Sequence, residues 1–289
     1  MNQRQTEEAA GAGEVEEADV TRRRSPILFA WFTWYARRYL SKHFHAVRVS
    51  RQGRPKAPDA DPIVILLNHP SWWDPMVGLA LTALFPLRQH YAPIDAAALK
   101  GYGFFQRLGF FGVEQGTARG AAAFLRTSLR VLSAPGRALW VTGQGHFVDP
   151  RDRPVSLRPG VAHLARRLER GTILPLALEY PFWEERHPEA LAFFGEPVDL
   201  ARGPDGPETT EEWNRLLEGS LEATQDRLAL EARARSPDAF EVVVAGRVGI
   251  GGVYDLWRRL KARLRGKRFS GAHGELLAPD SRKAGEREP

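Results

Sequence analysis

His69 and Asp74 stand five positions apart in Ile-Val-Ile-Leu-Leu-Asn-His-Pro-Ser-Trp-Trp-Asp-Pro, residues 63–75. An imidazole beside a carboxylate makes a general base with its orienter: the acid accepts from one ring nitrogen and leaves the other free to take a proton. Such a pair, without a nucleophile of its own, suits a bound hydroxyl that brings the attacking oxygen. Pro70 disfavours the α region for His69 and keeps it extended at the end of the apolar run. Asp74-Pro75 also reads as a helix start, an N-cap followed by proline at the first helical position. Spacing alone leaves both readings open, a catalytic pair or a helix cap beside an unrelated histidine. The proline-interrupted turn would let Asp74 fold back to the ring.

The run Ile63–Leu67 is continuously apolar and β-branched, as in a strand covered on both faces. In sheets of that kind the carboxyl ends of the strands face the crevice where ligands bind, and Asn68 and His69 fall there. Strands are also expected over residues 46–50, 88–94, 137–143, 172–180, 190–198 and 240–246. Helices are expected after Pro75 and over residues 117–133, 161–170 and 211–233. This alternation predicts an α/β fold: a single domain over residues 46–250 with a mostly buried mixed sheet flanked by helices.

The 289 residues are 43% hydrophobic, with mean hydropathy −0.37 and no cysteine. Thiol nucleophiles, disulfides and cysteine zinc sites are thereby excluded. No stretch approaches the ~20 apolar residues of a transmembrane helix, and the N-terminus does not read as a signal peptide. Residues 1–21 read as a disordered acidic tail: Glu7, Glu8, Glu14, Glu16, Glu17 and Asp19 oppose Arg4. The net charge of +6 therefore sits on a strongly basic body, suited to phospholipid or nucleic acid. Over residues 22–45 an amphipathic helix carries Trp31, Trp34 and Tyr35 between Arg22–Arg24 and Arg37-Arg38, the pattern of a helix lying at a membrane interface. Packing on its own domain would give the same pattern. The aromatics fall at helical spacing rather than on an open strand, which disfavours nucleic acid. Residues 251–269 read as a basic helix with Arg258 and Arg259 toward anionic headgroups, and 270–289 as a polar disordered tail. His43-x-His45 lacks a third ligand, so no metal site is expected. Phe104, Phe105, Phe110 and Phe111 would serve equally as an acyl-chain groove or as core.

Asn68-His69-Pro-Ser-Trp-Trp-Asp74 resembles the first motif of the glycerolipid acyltransferase superfamily, the lysophospholipid or 1-acylglycerol-phosphate acyltransferase-like proteins: Asn-His, four residues, Asp. Further likenesses follow in that family's order over about residues 48–198. Residues 105–113 resemble the approach to its second motif and 139–145 the strand and turn of its third. Leu157-Arg158-Pro159-Gly160 resembles the basic-Gly step, Ile173-Leu174-Pro175-Leu176 the fourth motif, and Phe194-Gly195-Glu196-Pro197 a later strand.

The resemblance implies transfer of a fatty acyl group from acyl-CoA or acyl-carrier protein, as co-substrate, to a lipid hydroxyl. His69 would be the base and Asp74 its orienter, no further cofactor would be needed, and a donor near Gly145 would steady the oxyanion. Asn68, Gly143, Gln144, Gly145, His146 and Arg158 are the matching acceptor or oxyanion positions. Gln115 and Arg119 belong with them, and the chain departs from the family pattern in two motifs. The third motif is usually Pro-Glu-Gly-Thr-Arg, where this chain has Gly143-Gln144-Gly145-His146-Phe147. The second usually ends in a phosphate-binding arginine, where this chain has Gln115, with Arg119 one helical turn on. A neutral amide cannot replace an arginine fork on phosphate. The expected acceptor is therefore a glycosylated or other hydroxylated lipid rather than a simple glycerol phosphate. His146 either bonds the acceptor or closes its turn. Membrane lipids are the expected partners, at the cytoplasmic membrane face and without nucleic acid. The rival readings are a conventional lysophospholipid acceptor, a lipid-binding module with a decayed site, and a nucleic-acid-binding basic body.

Overall fold

In the computed structural model, residues 20–56, 61–201 and 206–247 are described. Most of the acidic tail, and the basic segment with Arg258 and Arg259, lie outside them. The chain begins with a helical turn, Val20–Arg23, and helix α1, Pro26–His43. Then come β1 (Ala46–Ser50), β2 (Ile63–Leu67), α2 (Asp74–Leu81) and β3 (Gln89–Asp95). Short helices α3 (Ala96–Gly101) and α4 (Phe105–Leu108) precede β4 (Phe110–Val113), α5 (Ala118–Leu132) and β5 (Arg137–Thr142). The remainder is α6 (Gly160–Arg167), β6 (Thr172–Glu179), β7 (Glu189–Phe194), β8 (Val198–Asp199), α7 (Thr210–Ala234) and β9 (Phe240–Ala245). Val20 is buried in the core, so packed structure starts inside the segment assigned to the tail.

Each expected strand forms, except that the one expected over residues 190–198 is broken at 195–197 into β7 and the two-residue β8. The sheet adds β4, within the stretch matched to the second motif. The described strands run in the order β4-β3-β5-β2-β6-β7-β1-β9, with β8 beside β6. Strands β4, β3, β5, β2 and β6 are mutually parallel; β7 runs antiparallel to β6, and β9 antiparallel to β1. The fold is a single mixed α/β domain, its sheet between two helical layers.

Residue order in β2 explains the layering. Side chains alternate faces along a strand, so Val64 and Leu66 join α5, α6 and α7 in one core, with Phe124, Leu164 and Trp213. Ile63, Ile65 and Leu67 join α1 and α2 in the other, with Leu40, Val77 and Leu81. Both faces are buried, hence the unbroken apolar run. This places the carboxyl end of β2 between those of β5 and β6 in the middle of the sheet.

Helix α1 starts at Ser25, whose hydroxyl accepts from the Leu28 N–H at 3.3 Å. Ala36 and Leu40 are fully buried, and Arg37 donates to the Val243 carbonyl at 2.8 Å, tying α1 to β9. The opposite side leaves Trp31 56% and Trp34 58% exposed, together with Tyr35 and Ile27. One face of the helix packs on the domain, as the second reading expects, and an aromatic face is left open.

Between the layers, His90 is 5% exposed and its Nδ1 accepts from Trp140 Nε1 at 3.1 Å. Burial, followed by the charge of Arg24, lowers the His90 pKa to about 3, although a bond to the Phe85 backbone acts the other way. As pH falls from 6.5 to about 3 the unfolded chain takes up a proton at this position that the folded chain refuses, so stability declines across that window. The loss attributable to His90 is on the order of 5 kcal/mol. Denaturant unfolding at a series of pH values should show a flatter dependence in His90→Gln than in the wild type. Equal slopes would assign the acid sensitivity elsewhere.

Candidate active site

His69 Nδ1 lies 2.6 Å from Asp74 Oδ2. The same oxygen accepts from the Ser71 N–H at 3.1 Å, and Oδ1 accepts from the Tyr180 hydroxyl at 2.6 Å. A carboxylate can accept from all three donors. It then fixes the proton on Nδ1 and leaves Nε2 as the basic nitrogen. Asp74 is only 1% exposed, so its charge is tolerated because every side of it is hydrogen-bonded. The helix-cap reading of Asp74 is corrected here: α2 begins at Asp74 with Trp73 at the cap position, and no side chain caps it. The carboxylate points back into the turn because three donors meet it there.

The turn itself is short and closed. The Asp74 N–H donates to the Ser71 carbonyl at 3.2 Å and the Trp73 N–H to the Ser71 hydroxyl at 3.3 Å. Tyr180 enters from the carboxyl end of β6, the strand beside β2. Burial and the neighbouring Asp74 charge push its phenol well above the usual range, so it remains a donor.

The 143–148 loop, at the end of β5, holds His69 by its backbone. The His69 N–H donates to Gln144 Oε1 at 3.2 Å, and the His69 carbonyl accepts from the Val148 N–H at 3.0 Å. At Gly143 a Cβ would fall 2.6 Å from Leu66 Cδ1 and 2.8 Å from Leu157 Cδ2, so any larger residue has to displace both leucine side chains. Gly145 has φ +70°, in the left-handed region that favours glycine. A Cβ on it would meet Arg158 Nε at 2.5 Å, so the Arg158 side chain lies against this turn.

Several residues assigned to acceptor or oxyanion binding have other roles. Asn68 is buried, and its side chain pairs with both backbone groups of Leu178, donating to the carbonyl at 3.0 Å and accepting from the N–H at 2.8 Å. It extends the β2–β6 ladder past the strand end, with both its side-chain oxygen and nitrogen engaged there. Gln144 is likewise buried and serves the His69 backbone. The Gly145 N–H is spent on the Thr142 carbonyl at 3.2 Å and the Gly143 N–H on the Leu67 carbonyl at 3.2 Å, so neither is free for an oxyanion. His146 closes the turn through Nδ1 and the Gln144 carbonyl, 3.0 Å apart. Arg119 is exposed on α5 and does not line the cavity beside His69; Gln115 and Arg158 do. Phe147, at the position of the third motif's arginine, packs on the His69 ring with centroids 4.5 Å apart.

That cavity encloses about 1350 Å³. It opens because two parallel strands part. The β3–β5 ladder ends at Tyr91 and Leu139, beyond which β3 pairs only with β4. Pro93, with no N–H, stands in the segment that turns away. The gap between residues 92–95 and 140–143 leads from His69 to an apolar end under α1, walled by Phe29, Phe32, Phe105 and Trp140. Phe105 and Phe110 thus line the cavity, while Phe111 is core and Phe104 is partly exposed beside Phe32.

Protein-family models and curated proteins give no match to this chain. Among solved structures, a likeness is found to the 1-acyl-sn-glycerophosphate (LPA) acyltransferase PlsC from Thermotoga maritima. The TM-score is 0.48 at 16% identity, covering 72% of this chain and 79% of that one. At that level the likeness bears on neither activity nor substrate.

Tyr180 is the member of the site that the sequence reading missed. It follows an apolar strand and looks like an ordinary end residue until β6 is known to lie beside β2. Tyr180→Phe removes one hydrogen bond to a buried carboxylate, a change worth about tenfold in rate. In the purified protein kcat for any reaction that uses His69 as its base should fall by about that factor, with KM unchanged. A change in KM alone would show that Tyr180 shapes binding rather than the dyad.

Proposed function

We propose that the protein transfers a fatty acyl group from a thioester donor to the hydroxyl of a lipid. The observation that carries this reading is the His69–Asp74 pair opening on an apolar cavity large enough for an acyl chain. The acceptor hydroxyl gives its proton to His69 Nε2 as its oxygen attacks the thioester carbonyl. The carbon–sulfur bond then breaks and the proton passes to the departing thiolate. Attack by the acceptor itself requires no acyl-enzyme, which agrees with a chain that has neither cysteine nor a Gly-x-Ser-x-Gly elbow. The intact dyad weighs against a decayed lipid-binding module, since a carboxylate kept buried on three hydrogen bonds has no use in lipid holding alone.

The acceptor reading rests on Phe147 and Gln115. An aromatic ring packs on His69 and an amide lines the wall where the family pattern has cations. Trp72, 64% exposed, also lines the cavity. Flat aromatic faces and an amide suit a neutral polyhydroxylated head, such as that of a glycosylated lipid. Arg158 on the cavity wall favours a second reading, a phosphate-bearing lysophospholipid.

The open face of α1 gives a route to the lipid. Ile27, Trp31, Trp34 and Tyr35 recur at helical spacing on one side, while Phe29 and Phe32 line the cavity beneath. No helix among the described residues is long and apolar enough to cross a bilayer. A helix lying in the interface, with the cavity mouth at headgroup depth, is the geometry this supports.

With acyl-CoA and a total lipid extract, the wild type should acylate a neutral hydroxylated lipid. His69→Ala should lose roughly 10²–10⁴-fold of that activity and still bind liposomes. Saturable acylation of lysophosphatidic acid that is insensitive to Gln115 substitution would contradict the neutral acceptor. Unchanged turnover in His69→Ala would contradict acyl transfer at this site.

A further inference from the structure

The cavity continues past the dyad into a groove between α5 and α6. The α5 wall presents Ala118, Ala121 and Ala122; the other wall presents Arg158, His163 and Arg167. Positions 160, 163 and 167 share one helix face. Helix α6 starts against the His69-bearing loops, because the Arg158 N–H donates to the Gly143 carbonyl at 2.9 Å. At 1.5 Å rise per residue, Arg167 lies about 10 Å further along the axis than Gly160. The wall therefore carries two guanidinium groups, Arg158 and Arg167, with His163 between them, leading away from His69.

Neither arginine has an ion-pair partner among the described residues. Arg158 lies against Gly145, and Arg167 Nη1 donates to the His163 carbonyl at 3.1 Å. The His163 ring meets the Thr210 hydroxyl at 3.3 Å. The acids of the cavity wall are Asp74, Asp95 and Glu114. Asp74 is committed to His69, and Asp95 accepts from the Ala97 N–H at 2.7 Å as the cap of α3. Glu114 stands beside Thr117 at the start of α5.

We propose that this row holds the phosphate of a phosphopantetheine arm, the segment that coenzyme A and acyl carrier protein share. The inference rests on the acyl-transfer reading and assigns the donor's place within it. With the thioester carbonyl at His69, the acyl chain takes the aromatic end under α1. The arm then leaves through the other end of the same cavity, where alanines give it width. Its phosphate meets Arg158 and Arg167, whose guanidinium forks match phosphate oxygens.

Titration calorimetry with coenzyme A and with 4′-phosphopantetheine tests this on the wild type, Arg158→Gln and Arg167→Gln. Each substitution should weaken both probes about tenfold, while pantetheine, without phosphate, should bind all three proteins alike. In turnover, KM should rise for acyl-CoA and for acyl-carrier protein, and KM for the acceptor should stay unchanged. Unaltered affinity for both probes, or a rise in acceptor KM alone, would overturn the proposal. A loss confined to coenzyme A would move the contact to its nucleotide and also overturn it. The expected binding losses in the variants, beside a wild type that transfers no acyl group, would refute acyl transfer and leave the phosphate site standing. Transfer with unaltered coenzyme A affinity in the variants would refute the phosphate site alone.

Discussion

The buried Asp74 carboxylate sets the terms for everything around it. At 1% exposure it is stable only while donors surround it, and they come from separate places: its own turn, the His69 ring and the end of β6. Tyr180 can reach it only if β6 lies beside β2 in the register that pairs Leu67 with Leu176. Asn68 fixes that register by carrying the ladder one step past the strand end. The β5 side supplies Gln144 and Val148 to the His69 backbone, so the base is held through both neighbouring strands. A slip of β6 by one residue would leave the carboxylate short of a donor and exchange the side chains that the strand presents to the two buried layers.

The same sheet needs an opening beside that rigid centre, and it gets one by parting β3 from β5. Strands β2, β5 and β6 stay paired to their ends, so the dyad is unaffected while the gap forms one strand away. The gap joins an aromatic end under α1 to a cationic groove between α5 and α6. His69 sits between the two, where a ligand that is apolar at one end and charged at the other would place its middle. Helix α1 closes the apolar end with one face and leaves indoles and a tyrosine on the other. The exposed aromatic surface and the cavity roof are thus one element.

Much of this was legible in the residues. The apolar run 63–67 with both faces hydrophobic, the strand-end position of His69 and the proline turn to Asp74 are local signals, and the structure keeps each of them. Sequence could not decide what Asp74 does with its carboxylate, because that depends on Tyr180, a partner from a distant strand. Nor could it show that Asn68, Gly143, Gln144 and Gly145 spend their polar atoms on the scaffold. Matching motif positions to ligand contacts fails for these residues: Gln144 holds the His69 backbone, Asn68 pairs with Leu178, and Gly143 and Gly145 close the adjoining turn. Arg119 fails for a simpler reason: the face of α5 turned to the cavity is the one bearing Ala118, Ala121 and Ala122. His163 and Arg167 carried no motif, and only the packing of α6 beside α5 brings them to the cavity.

The central claim is that His69 activates an acceptor hydroxyl directly, with no acyl group parked on the protein. Intact-protein mass spectrometry after incubation with long-chain acyl-CoA, first without and then with a lipid extract, tests it most directly. The account predicts an unchanged protein mass and negligible coenzyme A release without acceptor. With the extract, coenzyme A should appear in step with acylated lipid. A protein adduct of acyl mass, or coenzyme A release at the wild-type rate in His69→Ala, would contradict it.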